Sequence, residues 1–362
     1  MAYEIDFLAV GEGEKSGDAI ALRYGNLSEP SQQKVLVIDG GFKDSGATLV
    51  EHIKKYYKTE TVDGVLCTHS DSDHISGLTE VLNGVKVTNL YMHLPWKRAS
   101  NIEGLFSDAK ISSDKIKLAL KKSLDSAREL EALAKKKSIP VVEPFSDYSD
   151  GTGTLCVLGP SVKFYESLLA NFRGPAELAP EPGGPFEKFR TVAKDVVTHV
   201  AENWGIETLT DPDEDATSAE NNSSVVLLFT HGQERFLFTS DAGVPALTEA
   251  LNRATQLGID LKTVAMVQIP HHGSKRNVGP SVLNQILGPK KQQQELTKKA
   301  YISVAKDGEP KHPAKKVVNA FIRRGAKVYA TQGKALCQHS SDAPARGWEN
   351  AKELPLYTQV ED

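Results

Sequence analysis

The chain has 362 residues, of which 40% are hydrophobic and 25% charged, the make-up of a globular protein with a real core. A formal net charge of −4 excludes a general polyanion-coating protein, while leaving room for a local basic groove. Three widely spaced cysteines, Cys67, Cys156 and Cys337, exclude a disulfide framework and a zinc finger and point to a reducing compartment. The opening MAYEIDFLAV lacks the basic start and long apolar run of a signal peptide. No stretch approaches the roughly 20 apolar residues that span a bilayer. The cytoplasm is therefore the expected location, with no membrane partner. A homodimer is compatible with the sequence, which fixes no oligomeric state.

Short apolar strands alternate with amphipathic helices. Tyr3–Val10 and Ala19–Tyr24 read as a strand pair around the turn Gly11-Glu12-Gly13, and Lys34–Asp39 as a third strand ending in Gly40-Gly41. Thr48–Tyr57 places Leu49, Val50, Ile53, Tyr56 and Tyr57 on one helical face. Val62–Thr68 is a buried strand that runs into a His/Asp cluster, and Ser76–Leu82 begins a helix just after it. A strand at Val85–Met92, one long helix over Lys110–Lys137, a short strand at Leu155–Leu158 and a helix at Ser161–Asn171 follow. Arg173–Pro185, rich in Pro and Gly, and the polar Glu207–Asn222 read as loops flanking a helix around Phe186–Ala201. Together they suggest an insertion at 173–222, near the mouth of a site.

The second half restarts the pattern. Ser223–Thr230 and Arg235–Ser240 form a hairpin, followed by helix Val244–Leu257 and strand Thr263–Ile269. Strand Ala300–Val304, helix Pro313–Arg324 closed by Gly325, and strand Lys327–Thr331 complete it. The expected fold is α/β, a four-layer αββα sandwich. It forms one domain over 1–340, with a C-terminal tail at 341–362.

Chemistry concentrates in a few places. His69-Ser70-Asp71-Ser72-Asp73-His74 puts four potential metal ligands within six residues, directly after a buried strand. On a tight loop His69 and Asp71 can face one ion while Asp73 and His74 reach a second. Carboxylates this dense repel one another unless cations neutralise them. Gly77 stands where the next helix must pack closely. Asp241, at a strand end before Ala242-Gly243, suits a ligand bridging two metals, or an N-cap of the helix that follows. In Ile269-Pro270-His271-His272-Gly273-Ser274, one histidine can bind metal while the other contacts substrate. His312, ahead of Pro313, is either a helix-start residue or substrate-facing. His93, at a strand end, is a candidate to complete the first metal set. His52, His199, His231 and His339 carry no expected role.

In this order the motifs resemble the metallo-β-lactamase superfamily, whose loop reads HxHxDH. Their nearest likeness is to the soluble hydrolase domain of the ComEC family of DNA-uptake proteins. Phe7–Gly13 with Gly17-Asp18-Ala19 resembles its opening DVGQGDA. Val37–Gly41 resembles its IDGG turn, and Thr68–His74 its THxDxDH. Asn221–Val225 is similar to its NNxS entry, His271–Ser274 to its HHGS, and His312-Pro313 to its late HP. Asp stands at 71 where the wider superfamily has His. The membrane channel that carries the ComEC domain is absent, so the chain looks like a free-standing relative.

The resemblance implies a hydrolase with two divalent ions, zinc first and manganese next, since Asp71 is a harder ligand. His69, Asp71 and His93 would hold one ion and Asp73, His74 and His272 the other, with Asp241 bridging. The ions would activate water for attack. The catalytic candidates are Asp73, His271 and His312, the two histidines as proton donors or phosphate contacts, with Asp39 and Asp18 orienting ligands from behind. The implied substrate is a phosphodiester, which makes the chain a nuclease on DNA or RNA. The basic segments Lys290–Lys299 and Lys311–Lys316 could track a backbone. The alternative is hydrolysis of a small-molecule phosphoester, lactone or thioester.

Overall fold

The computed structural model describes residues 1–361 except 14, 107, 109, 179–198, 293–294 and 309–311. The strands are β1 (Ala2–Phe7), β2 (Ala19–Gly25), β3 (Gln33–Gly40), β4 (Thr61–Leu66), β5 (Lys86–Tyr91), β6 (Val141–Val142), β7 (Leu155–Gly159), β8 (His199–Ala201), β9 (Val226–His231), β10 (Glu234–Phe238), β11 (Met266–Gln268), β12 (Lys298–Ile302), β13 (Ala326–Ala330), β14 (Leu336–His339) and β15 (Gln359–Glu361). The main helices are α1 (Lys43–His52), α2 (Ser72–Ile75), α3 (Leu78–Gly84), α4 (Ser113–Ser123), α5 (Asp125–Lys136), α6 (Val162–Leu169), α7 (Val244–Gln256), α8 (Pro280–Ile286) and α9 (Lys315–Arg323).

Two large sheets are built alike. The first runs β14-β1-β2-β3-β4-β5-β6 and the second β13-β12-β11-β10-β9-β7. The pairs β1-β2, β2-β3 and β9-β10 are antiparallel, as are the distant pairs β1-β14 and β7-β9, and the pairs β3-β4, β4-β5, β5-β6, β10-β11, β11-β12 and β12-β13 are parallel. The β3 side chains show the layering. Leu36 and Ile38 face the other sheet, whereas Val35 and Val37 face the helices, as the two-residue period of a strand requires. Between the sheets Phe7 stacks on Tyr301 with centroids 5.2 Å apart and on Phe238 at 6.3 Å. One apolar cluster lies under the helices of each sheet and a third lies between the sheets. Three cores separate four layers, which is the αββα sandwich.

Some elements differ from the sequence reading. The long helix over Lys110–Lys137 is two helices, because Leu124 leaves the helical region at φ −117°, ψ 49°. The break lets Ile116 and Leu120 pack from one axis and Ala127, Leu130 and Ala134 from another. Helix α1 starts at Lys43 and continues as a π turn over Ile53–Tyr57. The helix expected at Phe186–Ala201 lies mostly outside the described residues, but its last three residues are β8, paired with β15. Residues 341–361, read as a tail, pack on the body. Arg346 Nη2 binds both oxygens of Asp6 at 2.5 and 2.7 Å, and Glu361 caps the first N–H groups of α9. No helix among the described residues is long and apolar enough to cross a membrane.

Candidate metal centre

The C-terminal ends of β3, β4, β10, β11 and β12 meet along one edge of the sandwich, where open α/β sheets place their ligands. At the end of β3 stands Asp39, and beyond the other strand ends come the His69–His74 loop, Asp241, His271-His272 and the stretch leading to His312. The backbone there is unusual. Among the described residues, four of the seven non-glycine residues with positive φ are Asp39, Ser240, His271 and His272. Such conformations cost energy and persist where the surroundings impose them. With Gly273 also at φ 82°, the left-handed run lets two adjacent histidines point into one site.

The ring protons follow from the partners. His272 Nδ1 lies 2.8 Å from the Ser303 carbonyl, which only accepts. His74 Nδ1 lies 2.8 Å from Asp39 Oδ2. His271 Nδ1 lies 3.0 Å from Asn277 Oδ1. The Asn277 amide is oriented by its Nδ2, which donates to the Asp241 carbonyl at 2.8 Å. The Thr68 hydroxyl donates to Asp39 Oδ2 at 2.6 Å, and so accepts from His69 Nδ1 at 3.1 Å. His69, His74 and His272 therefore carry a proton on Nδ1, His271 Nδ1 also lies 3.1 Å from Asn221 Nδ2, and all four imidazoles turn Nε2 inward.

Every inward Nε2 meets carboxylate oxygens. His69 Nε2 is 3.9 Å from Asp71 Oδ2 and 3.9 Å from Asp241 Oδ2. His271 Nε2 is 3.6 Å from Asp241 Oδ2. On the other side His74 Nε2 is 3.4 Å from Asp241 Oδ1 and 3.7 Å from Asp73 Oδ2, and His272 Nε2 is 3.4 Å from Asp73 Oδ2. Asp241 thus turns one oxygen to each group. Buried His69 Nε2, His74 Nε2 and Asp241 Oδ1 have no hydrogen-bond partner. Ligand atoms about 2.1 Å from a shared tetrahedral ion lie about 3.4 Å apart, so the spacing and the donor chemistry fit a divalent cation in the Asp73–His74–His272 group, while the His69 group is wider at 3.6–3.9 Å. Asp73, His74 and His272 also bring three ligand atoms within 4.8 Å of one another.

The electrostatics show the same demand. Burial alone would raise the carboxyl of Asp73, but His74 and the hydrogen bond to His272 bring it to about 2. Burial would lower His272, yet Asp73, Asp241 and Asp18 carry it up to about 9. His74 is likewise pushed well above the ordinary imidazole range, chiefly by Asp241 and Asp73 against the effect of burial. Without a cation, protons offset these carboxylates, and a metal ion would displace them.

Several predicted residues come together here: His69, Asp71, Asp73, His74, Asp241 and His272. His271 joins the His69 group. His93 pairs with none of these carboxylates, and its Nε2 is buried without a hydrogen-bond partner. It lines a small cavity with His69, Cys67, Met92 and Tyr165, its ring held between Phe145 and Tyr165 at 4.5 Å each. Burial lowers it to about 3, so it stays neutral. The His312 ring lies 6.1 Å from that of His271 and 6.4 Å from that of His272. Asp39 and Asp18 stand behind the ligands. Asp39 binds His74 and Thr68, and Asp18 accepts from Gln268 at 2.9 Å. Lys298 opens β12 at the end remote from Ser303, roughly 16 Å away at the rise of a strand, so the Lys298 end of the basic run is not at the mouth. Lys311 lies outside the described residues, and Lys316 is buried.

Ser240, Gln268 and Asn277 also support the centre, and Thr68, which opens the ligand motif, binds Asp39. Gln268 Oε1 accepts from the N–H groups of Thr239 and Ser240, at 3.0 Å each, while its amide reaches Asp18. A Gln inside an apolar strand was the available signal.

The sequence matches the family model described as the Metallo-beta-lactamase superfamily over residues 29–291. Among solved structures, the metallo-beta-lactamase fold protein YhfI from Bacillus subtilis is similar at 10% identity, covering 94% of this chain and 100% of its own, with a TM-score of 0.42. Zn(2+)-bound PqqB from Methylobacterium extorquens is 10% identical, with 93% and 99% covered and a TM-score of 0.40. A diphosphatase from the PhnP family is 8% identical, with 94% and 99% covered and a TM-score of 0.38. No curated protein matches the chain.

Proposed function

We propose that this chain, which belongs to the metallo-beta-lactamase superfamily, is a metal-dependent hydrolase of phosphodiesters in DNA or RNA. The observation that carries the metal dependence is the convergence of four inward Nε2 atoms on carboxylate oxygens. His69, Asp71 and His271 would hold one ion and Asp73, His74 and His272 a second, with Asp241 shared. His271 replaces His93 in that set. The mixed imidazole and carboxylate donors suit zinc, and their oxygen share also suits manganese. Divalent ions supply Lewis acidity and a water that ionises near neutral pH.

The chain's own groups then have definite work. Asp39 and the Ser303 carbonyl hold His74 and His272 by Nδ1. His312, beside the ligands, is the group to protonate a leaving oxygen or bind a phosphate. Arg173, Lys275 and Arg276 are exposed and close to the ligands in sequence or space, and cations of this kind favour an anionic substrate. The likeness of the motifs to the ComEC family supports a phosphodiester. The three unpaired cysteines suit the cytoplasm. A small-molecule phosphoester, lactone or thioester is the second reading. It is favoured by the distance of Lys298, at the end of the basic run, from the site.

The test is cleavage of labelled single- and double-stranded DNA, RNA and bis-p-nitrophenyl phosphate with Zn²⁺ or Mn²⁺, comparing the intact chain with Asp73→Ala. Metal-dependent cutting of nucleic acid that the variant loses supports the nuclease. Cleavage of the small ester alone moves the assignment to a small-molecule hydrolase. No cleavage of either by protein loaded with two ions would sink the proposal.

A further inference from the structure

Arg173 is an exposed side chain on a tightly held backbone. Its neighbour Phe172 is buried, edge-on to the Tyr165 ring at 6.1 Å. On its other side Gly174 sits against α4 so closely that a Cβ there would lie 2.5 Å from the Ala119 carbonyl and 2.5 Å from Ser123 Oγ. The Arg173 N–H donates to Glu220 Oε1 at 2.7 Å. Glu220 is itself buried, and its neighbour Asn221 places its amide 3.1 Å from His271 Nδ1. One short turn, Ala219–Asn222, therefore ties the arginine backbone to a histidine of the first donor group.

The side chain, 63% exposed, brings Nη2 to 3.9 Å from Asp71 Oδ1. Asp71 turns its other oxygen to His69. A carboxylate shared with a cation has little charge left for a guanidinium. Arg173 then keeps its positive charge and its fork of N–H donors beside the first donor group, at the solvent side. That fork matches the oxygens of a phosphoryl group, which a lone ammonium would not.

We propose that Arg173 anchors the anionic phosphoryl group of the substrate at the His69–Asp71–His271 side of the site; this deepens, and rests on, the phosphodiester reading above. The rival role is positioning Asp71 for the metal, and the two separate cleanly in measurement. The intact chain, Arg173→Gln and Arg173→Lys are each titrated with Zn²⁺. The loaded proteins are then titrated with inorganic phosphate by calorimetry and assayed on bis-p-nitrophenyl phosphate.

The expected result is unchanged Zn²⁺ affinity, with a phosphate Kd and a diester KM raised roughly 10- to 100-fold in Arg173→Gln, the size of a lost charge-assisted hydrogen bond. Arg173→Lys should recover part of the loss. Phosphate binding as tight in Arg173→Gln as in the intact chain, or no phosphate binding by the intact chain, overturns the proposal. So does a parallel loss of Zn²⁺ affinity, which makes Arg173 a positioning residue. If the intact chain cleaves no diester, the function proposed above fails, while the phosphate titration still decides the role of Arg173.

Discussion

His74 Nδ1 and Asp39 Oδ2 are 2.8 Å apart, and this one bond aims the opposite ring nitrogen at Asp73 and Asp241. Asp39 also takes the Thr68 N–H at 2.8 Å and its hydroxyl at 2.6 Å, so it aligns the strand end from which the ligand loop departs. Replacing Asp39 with Asn puts an amide where an acceptor is needed. Asp39→Asn should weaken divalent-metal binding by roughly 10- to 100-fold, as loss of such supporting groups does. Competition against a chromophoric chelator reads it directly, and affinity equal to the intact chain would refute the role.

Metal binding should also be visible as stability. Asp18, Asp73 and Asp241 are drawn together around His74, and an ion that binds only this arrangement stabilises the fold by about 2.7 kcal/mol when present at a hundred times its Kd. Calorimetric unfolding with Zn²⁺ and then with chelator should show the midpoint rising and returning. Asp241→Asn removes the residue shared by both groups, and most of that rise should vanish. A full rise in the variant would mean that the ions bind elsewhere.

Gly77 sets how close the ligand loop lies to β3. A Cβ at 77 would fall 2.0 Å from the Gly40 carbonyl oxygen and 2.6 Å from that of Phe42, both backbone atoms with nowhere to go. Gly77→Ala should therefore destabilise by about 1–3 kcal/mol, the cost of overpacking, and weaken metal binding as Asp73 and His74 shift. Urea denaturation of the apo-protein and metal titration check the two effects. Wild-type values for both would show that the close approach is slack.

A pH effect is expected far from the site. Burial would raise the Asp6 carboxyl, but the His52 hydrogen bond and charge, with Arg346, bring it from 3.8 to about 2. A folded-state value below the unfolded one adds stability above pH 4 that fades as the pH falls towards 2, worth about 2 kcal/mol. Arg346→Ala raises the folded value, so its stability should depend less on pH in that window. At neutral pH it should cost about 3–5 kcal/mol, because buried Asp6 and Glu4 lose a partner. Denaturation curves at pH 4.5 and 2.5 test both, and parallel behaviour of the two chains would contradict the assignment.

Much of the centre could be read from the sequence because its ligands sit at strand ends in short runs. His69–His74 follows an apolar strand, Asp241 follows β10, and His271-His272 follows β11, each announced by local pattern. What the pattern could not give is the direction in which adjacent rings point. His271 enters the first donor group through a left-handed backbone that no periodicity signals, and His93, on an equally plain strand end, turns instead between two aromatic rings. The break at Leu124 was hidden because charged and apolar spacing continues through it. The contacts of Arg346 and Glu361 leave no local signal because their partners, Asp6 and the start of α9, are distant in sequence.

The pairing of β1 with β14, Glu4 against His339 and Phe7 against Leu336, joins segments from opposite ends of the chain. During synthesis at about 5–20 residues per second, β1 would leave the ribosome tens of seconds before its outer neighbour exists. Until then the first sheet carries an open edge of Tyr3, Ile5 and Phe7, a template on which other unfinished chains can pair. Contacts this distant also slow closure of the sheet. Yield of the folded protein should therefore depend on what shields residues 2–7 in that interval, so a holding chaperone would matter more to this chain than to one whose edge strands are neighbours in sequence.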